Sequence, residues 1–188
     1  MEESAVSEEL LVRYCSPTLA GIKTGNIFSC PFSDYSEIMR SIRFFNRLLR
    51  RKGLCVIPLR RREGRVLVYV CRPSRLKSDL SGIKAGKILE SLGYHPECTG
   101  GCVSRLIKRL REENGFPHEI GLFLGYPPED VIGFIENKAE KCKCTGCWKV
   151  YGDEEEAKRL FAKYEKCTQV YCCQLEKGKS IERLTVVG

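Results

Sequence analysis

The chain has 188 residues, 43% of them hydrophobic and 30% charged, with a formal net charge of +8. That size suits one domain with a real core, and that balance argues against wholesale disorder. No stretch approaches the roughly 18 uncharged apolar residues of a membrane span, and the acidic start Met1-Glu2-Glu3-Ser4 lacks the basic and apolar regions of a signal peptide, so the expected location is the cytoplasm, away from any membrane.

Residues 7–14 read as a short helix that Ser16-Pro17 stops, because proline disfavours helical geometry in the residue before it. A loop and a strand around Asn26–Cys30 follow. Asp34, with Glu37 three residues on, can cap the next helix as a capping box. Ile38, Ile42, Phe45 and Leu49 recur at helical spacing along it, and Gly53 ends it. Leu54–Leu59 and Val66–Cys71 read as a hairpin joined by Arg61-Arg62-Glu63-Gly64, with Pro58 marking the first as an edge strand. Ala85, Ile88, Leu89 and Leu92 mark a helix closed by Gly93. Val103, Leu106, Ile107 and Leu110 mark another, closed by Gly115.

The last third predicts alternation. Glu119–Leu124 reads as a strand, Pro128–Glu136 as a helix and Cys147–Tyr151 as a strand. Asp153 and Glu156 then start a long helix with Ala157, Leu160, Phe161, Tyr164 and Tyr171 on its apolar side. Ile181–Val187 reads as a final strand. The expected architecture is a single α/β domain over residues 1–188: a mixed sheet with helices packed on it and a C-terminal βαβαβ unit.

Four groups of residues could carry chemistry. Cys15 at the helix break and His118, one of two histidines, could form a thiolate–imidazole pair, with Glu119 or Asp153 orienting the ring. That arrangement suits a cysteine-dependent hydrolase or transferase. Cys142, Cys144 and Cys147 put three thiols within six residues, and His95, Cys98 and Cys102 form a second set with ligand-like spacing. Together they could hold zinc or iron. Thr99 as a cap would put Cys102 in the first helical turn, where the dipole favours thiolate. The structural alternative is twelve reduced cysteines used as small apolar residues.

The positive charge is local. Arg40 to Lys77 contains 13 basic residues and one acid, Glu63. Arg40, Arg43, Arg47 and Arg50 form one helical stripe, and Arg61 and Arg62 lie at the hairpin turn. A solvated face is the plain reading. As a functional surface it favours an acidic protein, and a nucleic-acid partner is not expected without a recognition signature. Finally, Gly125-Tyr126-Pro127-Pro128-Glu129-Asp130 joins two elements where α/β proteins often bind ligands, and Tyr126 with the single tryptophan, Trp148, could line a cofactor site. No Walker or dinucleotide motif is present, and acids at the helix start disfavour phosphate.

Four blocks, Cys15–Lys23, Phe116–Asn137, Trp148–Asp153 and Lys166–Thr168, together resemble domain-of-unknown-function family 3793, across nearly the whole chain. The resemblance brings no catalytic residues. It implies a small protein of anaerobic bacteria, which suits the thiol count, in the company of flavodoxin-type and iron-related proteins. The expected function is therefore a thiol-rich accessory protein in iron or redox metabolism that binds a metal, a cofactor or an acidic redox partner such as a flavodoxin-like carrier.

Overall fold

The computed structural model describes residues 5–112 and 116–188; the acidic start Met1–Ser4 and the helix-closing role of Gly115 lie outside them. The fold is α/β, with helices packed around a small antiparallel sheet. The chain forms two compact units, residues 1–74 with 167–188, and residues 75–166. No helix among the described residues is long and apolar enough to cross a membrane.

The first unit is built on the sheet order β1-β3-β2, with β1 Gly25–Pro31, β2 Cys55–Arg62 and β3 Arg65–Cys71. Both pairings are antiparallel, so the expected mixed sheet is absent here. β3 is central, and its near-continuous apolar run Val66–Cys71 follows from that place. Pro58 lies in the edge strand β2, where its missing N–H costs no ladder bond, and the register slips between Pro58 and Arg60. α1 (Glu8–Leu19) packs on β1, and α2 (Tyr35–Leu49) on β2. Ile38, Ile42, Phe45 and Leu49 of α2 are buried in one core with Leu11, Val12 and Cys15 of α1. Asp34 caps α2 by accepting from Ser36 N at 2.8 Å, while Glu37 pairs instead with Arg40. The Ser36 hydrogen bonds hold the Asp34 carboxyl below its ordinary range.

α1 does not stop at Ser16-Pro17. It runs through Pro17 to Leu19, with the Ser16 hydroxyl donating to the Val12 carbonyl. A buried side chain receives the end of this helix. Arg72 Nε donates to Thr18 O and Nη2 to Leu19 O, each at 2.7 Å. The same guanidinium donates to Lys52 O at 3.2 Å and, through Nη2, to Val186 O at 2.7 Å. One arginine thus adds a side-chain donor to the last two carbonyls of α1, which also accept from Gly21 N and Val186 N, and binds two further segments. Gly53 closes the 3-10 turn at Arg50–Lys52 with φ 76°, and a Cβ there would fall 2.5 Å from Gly188 O. The turn therefore requires glycine twice over, for backbone conformation and for space.

The C-terminal βαβαβ unit does not form. Glu119–Leu124 is a turn leading into the short helix α6 (Ile120–Phe123), after α3 (Pro73–Leu80), α4 (Ile83–Ser91) and α5 (Thr99–Glu112). A short buried apolar run has no periodicity that separates strand from helix. α7 (Pro128–Glu136) starts with proline in its first turn, as expected. Cys147–Tyr151 contracts to β5 (Lys149–Val150), which pairs with β4 (Cys144–Thr145) in a two-stranded hairpin. α8 (Glu154–Glu176) is capped by Asp153, whose Oδ1 accepts from Glu156 N at 3.0 Å. Ile181–Val187 is not a strand: Ile181 and Leu184, three apart, are buried on one side of α9 (Ile181–Leu184).

Burial has a consequence for alkaline stability. Cys15 is fully buried and burial pushes its thiol up strongly. Cys71 is pushed up to about 12, mainly by burial, from an ordinary 9.0. With folded values above the unfolded one, the folded state keeps protons that the unfolded state loses. The stabilisation is complete below pH 9 and declines as pH rises through 9 toward 12. Urea unfolding under reductant should therefore show a midpoint that falls steadily above pH 9. A midpoint constant from pH 8 to 10.5 would contradict the buried neutral thiols.

Candidate functional site

In the second unit, the segments around α6, α7 and the β4–β5 hairpin enclose a cavity of about 270 Å³. His118, Tyr126, Phe134, Trp148 and Lys149 are among its walls. Trp148 is 8% exposed, stacks on Tyr126 at 4.7 Å and meets Phe161 edge-on at 4.6 Å. Phe116, His118 and Thr145 are the exposed members of the lining, and the imidazole meets Phe134 edge-on at 5.0 Å. Among the described residues neither ring nitrogen of His118 has a hydrogen-bond partner.

The wall is fixed by Asp130, in the first turn of α7. Its carboxylate is buried and Oδ2 accepts from Trp148 Nε1 at 2.6 Å. Oδ1 accepts from Tyr151 N and Gly152 N, each at 2.7 Å. Three donors converge on one carboxylate, the arrangement that makes an internal charge tolerable. Asp130 therefore locks the indole and the end of β5 against α7. Both of its oxygens are engaged by these internal donors. Tyr126 donates to Cys147 O at 3.2 Å, and burial pushes its hydroxyl up to about 12. Gly146 lets the hairpin approach Phe161, since a Cβ there would lie 2.3 Å from that ring. Lys149 Nζ donates to Ala139 O at 2.7 Å, so its charge is anchored at the cavity side.

The structure thus gathers His118, Tyr126 and Trp148 around one space. The other candidates have different surroundings. Cys15 occupies no exposed turn. It lies inside α1 in the first unit's core, and a thiol held neutral by burial is not a nucleophile near pH 7. Glu119 is buried with its Oε1 2.8 Å from Arg109 Nε and accepting from the Tyr94 hydroxyl at 2.7 Å. Burial, followed by that carboxylate, drives the Tyr94 hydroxyl up. Asp153 serves as the α8 cap.

Among the described residues no three histidine, cysteine or acidic side chains converge as metal ligands. The expected meeting of Cys142, Cys144 and Cys147 with a fourth ligand is therefore not formed. Cys142 Sγ lies 3.5 Å from Thr145 Oγ1, and Cys147 is exposed. In the second set, Cys98 takes the capping position of α5 in place of Thr99, accepting from Gly101 N at 3.3 Å. Cys102 is buried, and burial raises its thiol against the expected dipole effect. His95 is exposed, with Nδ1 3.6 Å from Glu97.

Arg40, Arg43 and Arg47 face solvent on α2, opposite its buried residues, Arg50 is exposed at the 3-10 turn that follows, and Arg61 and Arg62 are exposed at the hairpin. Asp130 and Phe134 were missed in the sequence. Nothing local marks Asp130, since its partners lie 18 to 22 residues away.

Fold and site define a small α/β protein with a preformed aromatic cavity whose polar members stand mainly at its edge. The chain belongs to the family described as "Protein of unknown function (DUF3793)", whose profile matches residues 11–185, nearly its whole length. No curated protein and no solved structure matches it significantly.

Proposed function

We propose that the protein is a binding protein whose second unit accepts a flat, largely apolar group of one or two rings, carrying one acceptor or acid at its edge. The observation behind this is the cavity of about 270 Å³ with aromatic walls and His118 at its open side. Small-molecule sites commonly combine such apolar walls with a few polar groups that set orientation. His118 would donate to the ligand's edge, and Phe134, Tyr126 and Trp148 would contact its faces and sides. Asp130, also in the lining, holds the wall in place through its three internal donors.

A redox-active ring falls within this class. All twelve cysteines are free thiols, and we place the protein in a reducing cytoplasm of an oxygen-poor cell, as an accessory in redox or iron metabolism. The reading rests on an organic ring rather than a metal ion, since no ligand set converges among the described residues. It also does not use Cys15, whose burial removes the nucleophile from the hydrolase alternative.

The test uses 2-naphthoate and neutral naphthalene as probes, followed by calorimetry for the first and by Trp148 emission for the second. Trp148 is the single tryptophan, so its emission reports this wall alone. Binding of 2-naphthoate in the micromolar to low millimolar range is expected. His118→Ala should weaken the acid about tenfold and naphthalene little, because a charge-assisted hydrogen bond is worth about 1.5–3 kcal/mol. Absence of binding for both probes, or equal loss of both in His118→Ala, would overturn the proposal.

A further inference from the structure

On the first unit, α2 carries a second concave surface of about 640 Å³, more open than the aromatic cavity. Arg40, Arg43 and Arg47 line it, with Phe44 and Val6. Phe44 is 50% exposed and touches Phe45 edge-on at 5.2 Å, so the buried ring supports the exposed one. Val6 N donates to Ser41 Oγ at 3.3 Å, which holds the segment before α1 against this side of α2. Among the described residues neither Arg43 nor Arg47 has a carboxylate partner. Arg40 has a weak exposed one in Glu37, at 3.6 Å.

We propose that this groove docks an acidic helical segment of a partner protein, with carboxylates three or four residues apart and one apolar side chain that packs on Phe44. Charge complementarity selects the sign. Guanidinium groups pair with carboxylates through paired, planar hydrogen bonds. Spacing selects the form: Arg40, Arg43 and Arg47 span about 10 Å along the α2 axis. A helix laid along the groove repeats carboxylates over the same span. Phe44 adds a half-exposed apolar ring among these charges.

Other anionic surfaces fit less well. Single-stranded nucleic acid is gripped by successive aromatic platforms along a basic track. Of the two aromatic residues in the groove lining, Phe45 is buried and Phe44 is exposed, and the Tyr35 ring is covered by Arg61 at 5.1 Å. A membrane-binding helix inserts an apolar face, whereas the apolar face of α2 is consumed by the core. The groove and the aromatic cavity are independent, and the loss of either proposal leaves the other.

The experiment is fluorescence anisotropy with the full chain and a fluorescein-labelled, alanine-based peptide of about 15 residues carrying three glutamates at helical spacing and one leucine. Saturable binding at low ionic strength is expected, weakening about tenfold in several hundred millimolar salt. Arg43→Glu with Arg47→Glu should abolish it. Phe44→Ala, at an exposed position that keeps the fold, should weaken it about fivefold. Replacing the peptide leucine by alanine should give the same loss and make Phe44→Ala silent. A single-stranded oligo-dT and phosphatidylserine vesicles run in parallel. Tighter binding of either than of the peptide overturns the proposal, as does peptide binding that survives the charge reversal, or no peptide binding at low salt.

Discussion

Replacing Asp130 with alanine should destabilise the second unit by about 3–4 kcal/mol and move Trp148 emission to the red. Both changes are read in one urea titration followed by tryptophan fluorescence. The change strips a partner from the indole N–H and from two backbone N–H groups at once. All three donors then lie in a largely dry wall, where an unmade hydrogen bond costs more than the bond itself contributes. Asp130→Asn is the more telling variant. Its carbonyl can still accept from Tyr151 N and Gly152 N, but its NH₂ then meets Trp148 Nε1 donor to donor. It should lose about half as much stability as the alanine variant, and should shift the emission just as far. If both variants stay within about 1 kcal/mol of the parent, Asp130 does not fix the wall.

Replacing Arg72 with methionine is expected to destabilise the first unit by about 4 kcal/mol, measured by urea unfolding followed by circular dichroism. Methionine keeps much of the arginine stem but leaves the carbonyls of Thr18, Leu19, Lys52 and Val186 without this donor. Arg72→Lys should recover less than half of the loss. An ammonium has three donors at a point, whereas the guanidinium fork reaches carbonyls from three separate segments. Hydrogen exchange should rise first at the C-terminal turn of α1 and at the residues around Val186. An unchanged midpoint in the methionine variant would show that water or neighbouring groups replace the guanidinium at no cost.

What could be read from the sequence follows the range of the interaction concerned. The α2 helix, its Asp34 cap, its buried stripe and its exposed arginines are all local patterns, three or four residues in period, and the structure has them where the pattern puts them. The hairpin of β2 and β3 and the edge place of Pro58 are local in the same sense. The failures are short apolar runs. Ile120–Phe123 and Ile181–Leu184 are four-residue helices, too short for a helical period to show, and their apolar residues suit a strand as well. Pro17 misled for a different reason. Its effect on the preceding residue is a local preference, and here the core around Cys15 and the guanidinium of Arg72 outweigh it. The site was half legible: His118, Tyr126 and Trp148 stood out as unusual residues, while the side chain that orders them, Asp130, acts across 18 to 22 residues and leaves no trace in spacing.

The slip in register at Pro58 reaches beyond the sheet that contains it. A three-stranded antiparallel sheet has two borders where further strands could pair, and on the β2 border the Asn46 side chain already takes up Val56 N and O, each at 2.8 Å. Along β2, the proline removes one donor, the extra residue bends the strand, and Arg60, Arg61 and Arg62 follow at once. The opposite border, β1, ends on Pro31. Two crowded chains meeting border to border would find a missing donor, a kink and like charges in sequence on one side, and a proline stop on the other. Proline, bulge and clustered like charge are the features that make a strand border a poor template for further pairing.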